Sequence, residues 1–101
     1  MLAKEVGQHN VRVNCVAPYG TISSDPAAFS AGSRFHPETG FFTRAMADLD
    51  PAERRKMARS GVLPRNFATP EEVAAAVLYL ASERAGFVTW QVLPVEGGAL
   101  L

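Results

Sequence analysis

One hundred and one residues suffice for one domain, and a hydrophobic share of 48% against 20% charged residues is the composition of a packed chain, not a disordered one. Ten basic and ten acidic residues cancel, which leaves no electrostatic footprint for nucleic acid or for an anionic membrane. The single cysteine, Cys15, has no partner within the chain, which excludes a secreted disulfide framework and fits a reducing cytoplasm.

Two further absences point the same way. The longest apolar run, Val73 to Ala81, is far shorter than the ~20 residues that span a bilayer. The opening "MLAKEVGQHN" carries an acidic residue and no apolar core behind its lysine, so it does not read as a signal peptide. A cytoplasmic location is expected.

In chain order, Met1 to Val6 holds helix formers and then Gly7, which suits the left-handed residue just past a helix end. Six residues are too few for an independent helix, since nucleation is costly, so the pattern reads as the last turn of a helix whose beginning is absent. Val11 to Ala17 is short and rich in β-branched residues, as in a strand covered on both faces in a parallel sheet, with Arg12 and Asn14 interrupting one face and Pro18 ending it.

After that strand come Gly20, Thr21, Ser23 and Ser24, small residues through which backbone and hydroxyls can face a ligand. The long stretch from Thr21 to Leu49 has little periodicity but scattered phenylalanines, and is expected to form a partly helical flap over a ligand cleft. Phe35, Phe41 and Phe42 are candidates for an apolar substrate pocket, with core packing of the flap the alternative.

"DPAERRKMARSG" predicts a short helix: Asp50 caps it, Pro51 takes the first position, Glu53 completes the capping spacing and Gly61 ends it. "TPEEVAAAVLYLASERAG" predicts a stronger one, with Thr69 and Glu72 as a capping pair, Pro70 in the first turn and Gly86 beyond the end. Val73, Val77, Leu80 and Ala81 form its apolar stripe. "FVTWQVLPVEGG" is a second apolar strand, and Pro94 puts it at a sheet edge. His9 and His36 stand too far from other ligand-type residues to suggest a metal site.

Taken together, "LAKEVGQHNVRVNCVAP", "TPEEVAAAVLYLAS" and "FVTWQVLPVEGG" resemble the C-terminal part of the short-chain dehydrogenase/reductase family. The resemblance implies an α/β fold, with residues 1–101 forming the C-terminal portion of one NAD(P)-binding Rossmann-type doubly wound parallel sheet whose N-terminal nucleotide-binding half is absent. The last two strands would be Val11 to Ala17 and Gln91 to Val95, with Pro70 to Ser82 as the crossover helix. It also implies that the loop after the first strand lies against the nicotinamide of NAD or NADP. The family's roles there fall on Pro18, Gly20, Ile22 and Ser24, with Ser23 the competitor, because Tyr19 occupies the place of a usual glycine. A plain strand-to-loop turn is the simpler alternative. Trp90 likewise replaces a usual glycine.

In that family a tyrosine acts as general acid/base beside a lysine four residues later. Tyr19 is followed at that spacing by Ser23 and Tyr79 by Glu83, and the glycine-rich pyrophosphate fingerprint has no counterpart, so no catalytic residue is assigned. The expected reading is a C-terminal fragment of an oxidoreductase that interconverts an alcohol and a carbonyl. It is inactive alone, and its parent takes a small-molecule substrate and forms a homo-oligomer. The alternative is a non-catalytic module that associates with intact relatives through its last helix and strand.

Overall fold

The structure is a computed structural model that describes residues 1–58, 62, 63, 65 and 67–99. Helix α1 (Leu2–Val6) runs straight into a single 3-10 turn, Gly7–His9. Gly7 is right-handed (φ −59), and the left-handed residue that reverses the chain is Asn10 (φ 58), which corrects the expectation for Gly7. Asparagine tolerates that region better than most residues, so the extra turn continues through Gly7 before the chain breaks.

Strand β1 (Cys15–Pro18) begins four residues later than the apolar run suggests. The preceding residues are held mainly by side chains and by cross-links to the 88–91 segment. The Asn14 side chain donates to the Val88 carbonyl (2.9 Å) and accepts from the Gln91 N–H (3.1 Å), and the Val13 N–H donates to Thr89 Oγ1 (3.1 Å). The strand that follows pairs in parallel with β2 (Val92–Val95), in the register Cys15 to Val92 and Ala17 to Pro94. The Cys15 and Tyr19 N–H groups donate to Gln91 and Val95, so the alternate position Pro94 turns its nitrogen toward the open edge, where no ladder bond is lost.

Between the strands lie helices α2 (Phe41–Ala47), α3 (Pro51–Ala58) and α4 (Pro70–Ala81). The segment expected as a flap is partly helical, with α2 and a 3-10 turn over Pro26–Ala28 capped by Asp25. Gly40 precedes α2 where a Cβ would collide with the carbonyl oxygens of Arg34 and His36, so only glycine fits that approach. The predicted end of α3 at Gly61 lies outside the described residues.

Helix α4 carries the full capping box: Thr69 Oγ1 accepts from the Glu72 N–H (3.2 Å), and Glu72 Oε1 accepts from the Thr69 N–H (2.9 Å). Its last residue is Ala81 with Ser82 as the C-cap, and Gly86 closes the following 3-10 turn (Glu83–Ala85) rather than the helix itself. The guanidinium of Arg12 crosses to this end and donates to the carbonyls of Leu80 (2.7 Å), Ser82 (3.2 Å) and Val88 (3.2 Å). A cation there satisfies orphan carbonyls and opposes the negative end of the helix.

Helix α4 packs on both strands, yet of its apolar stripe only Leu80 is buried. Among the described residues the buried hydrophobic set is Ala3, Leu80 and Ala85. The accessible surface of 7851 Å² stands well above the roughly 5,500 Å² expected for a compact chain of this length. The radius of gyration, 17.6 Å, likewise exceeds the roughly 13 Å of a compact domain. Apolar faces are formed here but not covered. Cys15 and Val92, neighbours across the sheet, are both exposed.

Trp90 holds a left-handed conformation (φ 58), and its N–H donates to the Val13 carbonyl at 2.7 Å. That backbone state is nearly free for glycine and costs a bulky residue about 1–2 kcal/mol. Trp90→Gly should therefore tighten the β1–β2 junction by about 1 kcal/mol after glycine's larger unfolded-state entropy is counted. Amide exchange at Cys15, whose N–H bonds Gln91, should slow by about fivefold. Faster exchange in the glycine variant would show that the indole contributes more by packing than its backbone costs.

Candidate functional site

The polypeptide leaving β1 turns at Gly20, which is left-handed (φ 60), and then runs beside residue 68. The Ala68 N–H donates to the Gly20 carbonyl (2.9 Å), the Ile22 N–H donates to the Ala68 carbonyl (3.1 Å), and Thr21 and Ala68 form a parallel bridge. This tie holds the loop against the start of α4 and leaves Thr21, Ile22 and Ser23 along one wall of an apolar cleft of about 470 Å³. Phe29, Phe35, Phe42, Phe67 and Pro70 also line it.

The sequence-derived candidates divide accordingly. Gly20, Ile22, Phe35 and Phe42 share the cleft, and Ser23 lines it where Ser24 does not. Pro18 stands behind the loop as the last residue of β1. Phe41 points away and is 74% exposed, because α2 turns neighbouring side chains about 100° apart and Phe42 takes the inward position. Phe35 and Phe42 pack with ring centroids 5.5 Å apart at 49°, and Phe29 meets His36 edge-on at 6.1 Å. His36 itself serves the turn: Nδ1 accepts from the N–H groups of Glu38 (3.2 Å) and Thr39 (3.3 Å). No group of three or more metal-ligating side chains comes together among the described residues.

A smaller pocket of about 90 Å³ adjoins this cleft and shares Phe67 with it. It contains Tyr19, Arg65 and Glu72, a grouping that sequence reasoning missed because Arg65 stands seven residues before its partner. Arg65 donates to both carboxylate oxygens of Glu72, with the Nη1 to Oε1 distance 2.8 Å. The Glu72 carboxyl is lowered to about 2 from 4.5, first by the hydrogen bond from Arg65 and then by the Thr69 N–H, while Arg65 is raised by the same pairing. A carboxyl depressed by folding adds stability above its unfolded value, and that stability disappears as pH falls from about 4.5 to about 2. Both side chains are exposed, so the pair is screened by solvent and its effect is local. Helix content followed by circular dichroism should drop through that window, and Glu72→Gln should start lower and stay flat across it. Parallel curves for the two proteins would mean that the pair does not hold the helix start.

The arrangement is a strand-end loop facing an aromatic flap, beside a helix that returns the chain to a parallel strand. A family profile described as Enoyl-(Acyl carrier protein) reductase matches residues 1–99. Over 97 residues the chain is 39% identical to the 3-oxoacyl-(acyl-carrier-protein) reductase FabG of Chlamydia muridarum, a match that covers 96% of this chain and 31% of that protein. Over 99 residues it is 35% identical to the short chain dehydrogenase/reductase astE of Aspergillus oryzae, covering 98% of this chain and 31% of that protein.

The chain belongs to the short-chain dehydrogenase/reductase family.

It spans about a third of the length of the curated relatives it matches. Among solved structures, the NADPH dependent reductase YwfH, involved in bacilysin biosynthesis, superposes with a TM-score of 0.68 at 27% identity, over 98% of this chain and 34% of that one. The two parallel strands joined through α4 thus correspond to the C-terminal part of the Rossmann-type sheet of short-chain dehydrogenases/reductases. No helix among the described residues is long and apolar enough to cross a membrane.

Proposed function

We propose that this chain is the C-terminal part of an NAD(P)-dependent oxidoreductase that interconverts an alcohol and a carbonyl, and that by itself it turns nothing over. The observation that carries the reading is the apolar cleft in which the loop after β1 meets the aromatic flap. In the reduction, the carbonyl carbon gains a hydride, its oxygen gains a proton and NAD(P)H is oxidised; the bound nicotinamide supplies that hydride.

A nicotinamide carboxamide is a flat pair of one donor and one acceptor, and the loop has groups that fit it. The left-handed Gly20 leaves the main chain bare at the cleft. The Ile22 N–H is committed to Ala68, so the Ile22 carbonyl is the acceptor that remains. Ser23 Oγ accepts from the Asp25 N–H (3.1 Å) and keeps its own proton to donate, which favours it over the exposed Ser24. Pro18 ends the strand and aims the loop. The phenylalanines exclude water from the reacting face. No tyrosine in this sequence has a lysine four residues later, so the proton has no donor of the family's kind within these residues.

A chimera tests the assignment. The 101 residues replace the corresponding third of a full-length reductase relative, and NAD(P)H oxidation by a ketone is followed at 340 nm. The chimera should turn over and the pure chain should not. Turnover by pure chain, or a folded chimera that no longer binds cofactor, would overturn the proposal. A second reading, a module that associates with intact relatives, is favoured by the exposure of Leu78 on α4 and Val92 on β2. Co-purification with a full-length relative, lost on Leu78→Lys, distinguishes it.

A further inference from the structure

The cleft that the oxidoreductase reading assigns to cofactor and substrate has a composition that restricts what it can take. None of the described side chains that line it ionises. Phe29, Phe35, Phe42 and Phe67 supply four aromatic faces, and among the described lining residues Thr21 and Ser23 supply the side-chain hydroxyls. Arg65 lies in the adjoining pocket with both ends of its fork engaged by Glu72.

We infer that the cleft takes an uncharged, ring-bearing ketone or the matching secondary alcohol, in preference to a carboxylate or a charged acyl thioester. This rests on the oxidoreductase reading for its chemistry, but the preference itself comes from the lining. An anion entering this space sheds hydration and meets no countercharge among the described lining residues, whereas a fused or aromatic ring exchanges water for ring-edge and ring-face contacts. The volume of about 470 Å³ suits a small molecule of one or two rings beside a nicotinamide. The tilted Phe35–Phe42 pair forms a preshaped platform for such a ring. One or two hydroxyls are enough to orient a single carbonyl.

The test uses the folded chimera and ligand-observed saturation-transfer NMR, with 1-tetralone, acetoacetate and acetoacetyl-coenzyme A as probes. Tetralone should receive saturation and the two anions at least tenfold less. Phe42→Ala should weaken the tetralone signal at least fivefold, whereas Phe41→Ala, on the same helix but outside the cleft, should not. That contrast separates the cleft from the exposed apolar surface elsewhere. Should Phe42→Ala disrupt the flap, Thr21→Lys supplies the complementary test, since a cation on the wall should bring acetoacetate binding up to that of tetralone. Equal binding of the anions to the unaltered chimera, or equal effects of Phe41→Ala and Phe42→Ala, would overturn the inference. Tetralone binding together with a cofactor-bound but inactive chimera defeats only the oxidoreductase reading. Chimera turnover that favours the acyl thioester defeats only the substrate class.

Discussion

A dilute solution of these 101 residues alone should contain particles larger than a monomer, or an expanded chain that binds an apolar dye, and should show no sharp thermal transition. The surface exceeds that of a compact chain of this length by roughly 2,300 Å², by comparison of 7851 Å² with the size expectation. At about 25 cal/mol per Å² of apolar area, even half of that excess is worth more than the 5–15 kcal/mol that holds an ordinary domain together. What is exposed includes the outer edge of β1, where Val16 faces no strand among the described residues, and the sheet face bearing Cys15 and Val92. Unpaired edges and bare apolar faces recruit further copies unless other polypeptide covers them. Analytical ultracentrifugation with a melting scan decides the matter. A monomer that unfolds in one cooperative step would show that the three buried hydrophobic residues suffice.

Arg12→Ala should release the C-terminal end of α4 and with it the junction to β2. Three carbonyls, of Leu80, Ser82 and Val88, lose a shared charged donor in a part-buried setting. Charge-assisted bonds of this kind contribute about 1.5–3 kcal/mol each when measured singly, and removing the donor leaves helix-end carbonyls to be resolvated. A local loss of about 2–3 kcal/mol corresponds to amide exchange faster by roughly 30- to 150-fold at Ser82, Ala85 and Val88, whose N–H groups bond within this turn. Arg12→Lys should recover only part, because one ammonium cannot span three carbonyls as a planar fork does. Unchanged exchange in the alanine variant would mean that packing of Leu80 alone secures the helix end. The same measurement on intact chimeras would show whether the tie still matters once the sheet is covered.

Several features were legible from neighbours in sequence. The capping box of α4 needs only Thr69, Pro70 and Glu72, so its start was readable to the residue, and its end was missed by one position. Pro94 at an open edge follows from its missing N–H. The family resemblance rested on three segments in order, and the match over residues 1–99 supports it. Less was legible at the site: Ser23 and Ser24, or Phe41 and Phe42, differ by one step along the chain, and one step decides which side faces the cleft.

By itself the sequence determined the helix caps, the strand breakers and the apolar runs, because those depend on neighbours along the chain, and the resemblance of three ordered segments to the family implied the fold class and the parallel pair. Only the tertiary structure decided that Arg12 closes the end of α4 across 68 residues, that Arg65 meets Glu72, and that Gly20, Ile22, Ser23, Phe35 and Phe42 surround one space. Contacts between residues so far apart depend on how the elements dock. That docking is set by the sum of many weak apolar contacts and by where the chain turns, at Asn10, Gly20 and Trp90, rather than by any pattern within a single segment.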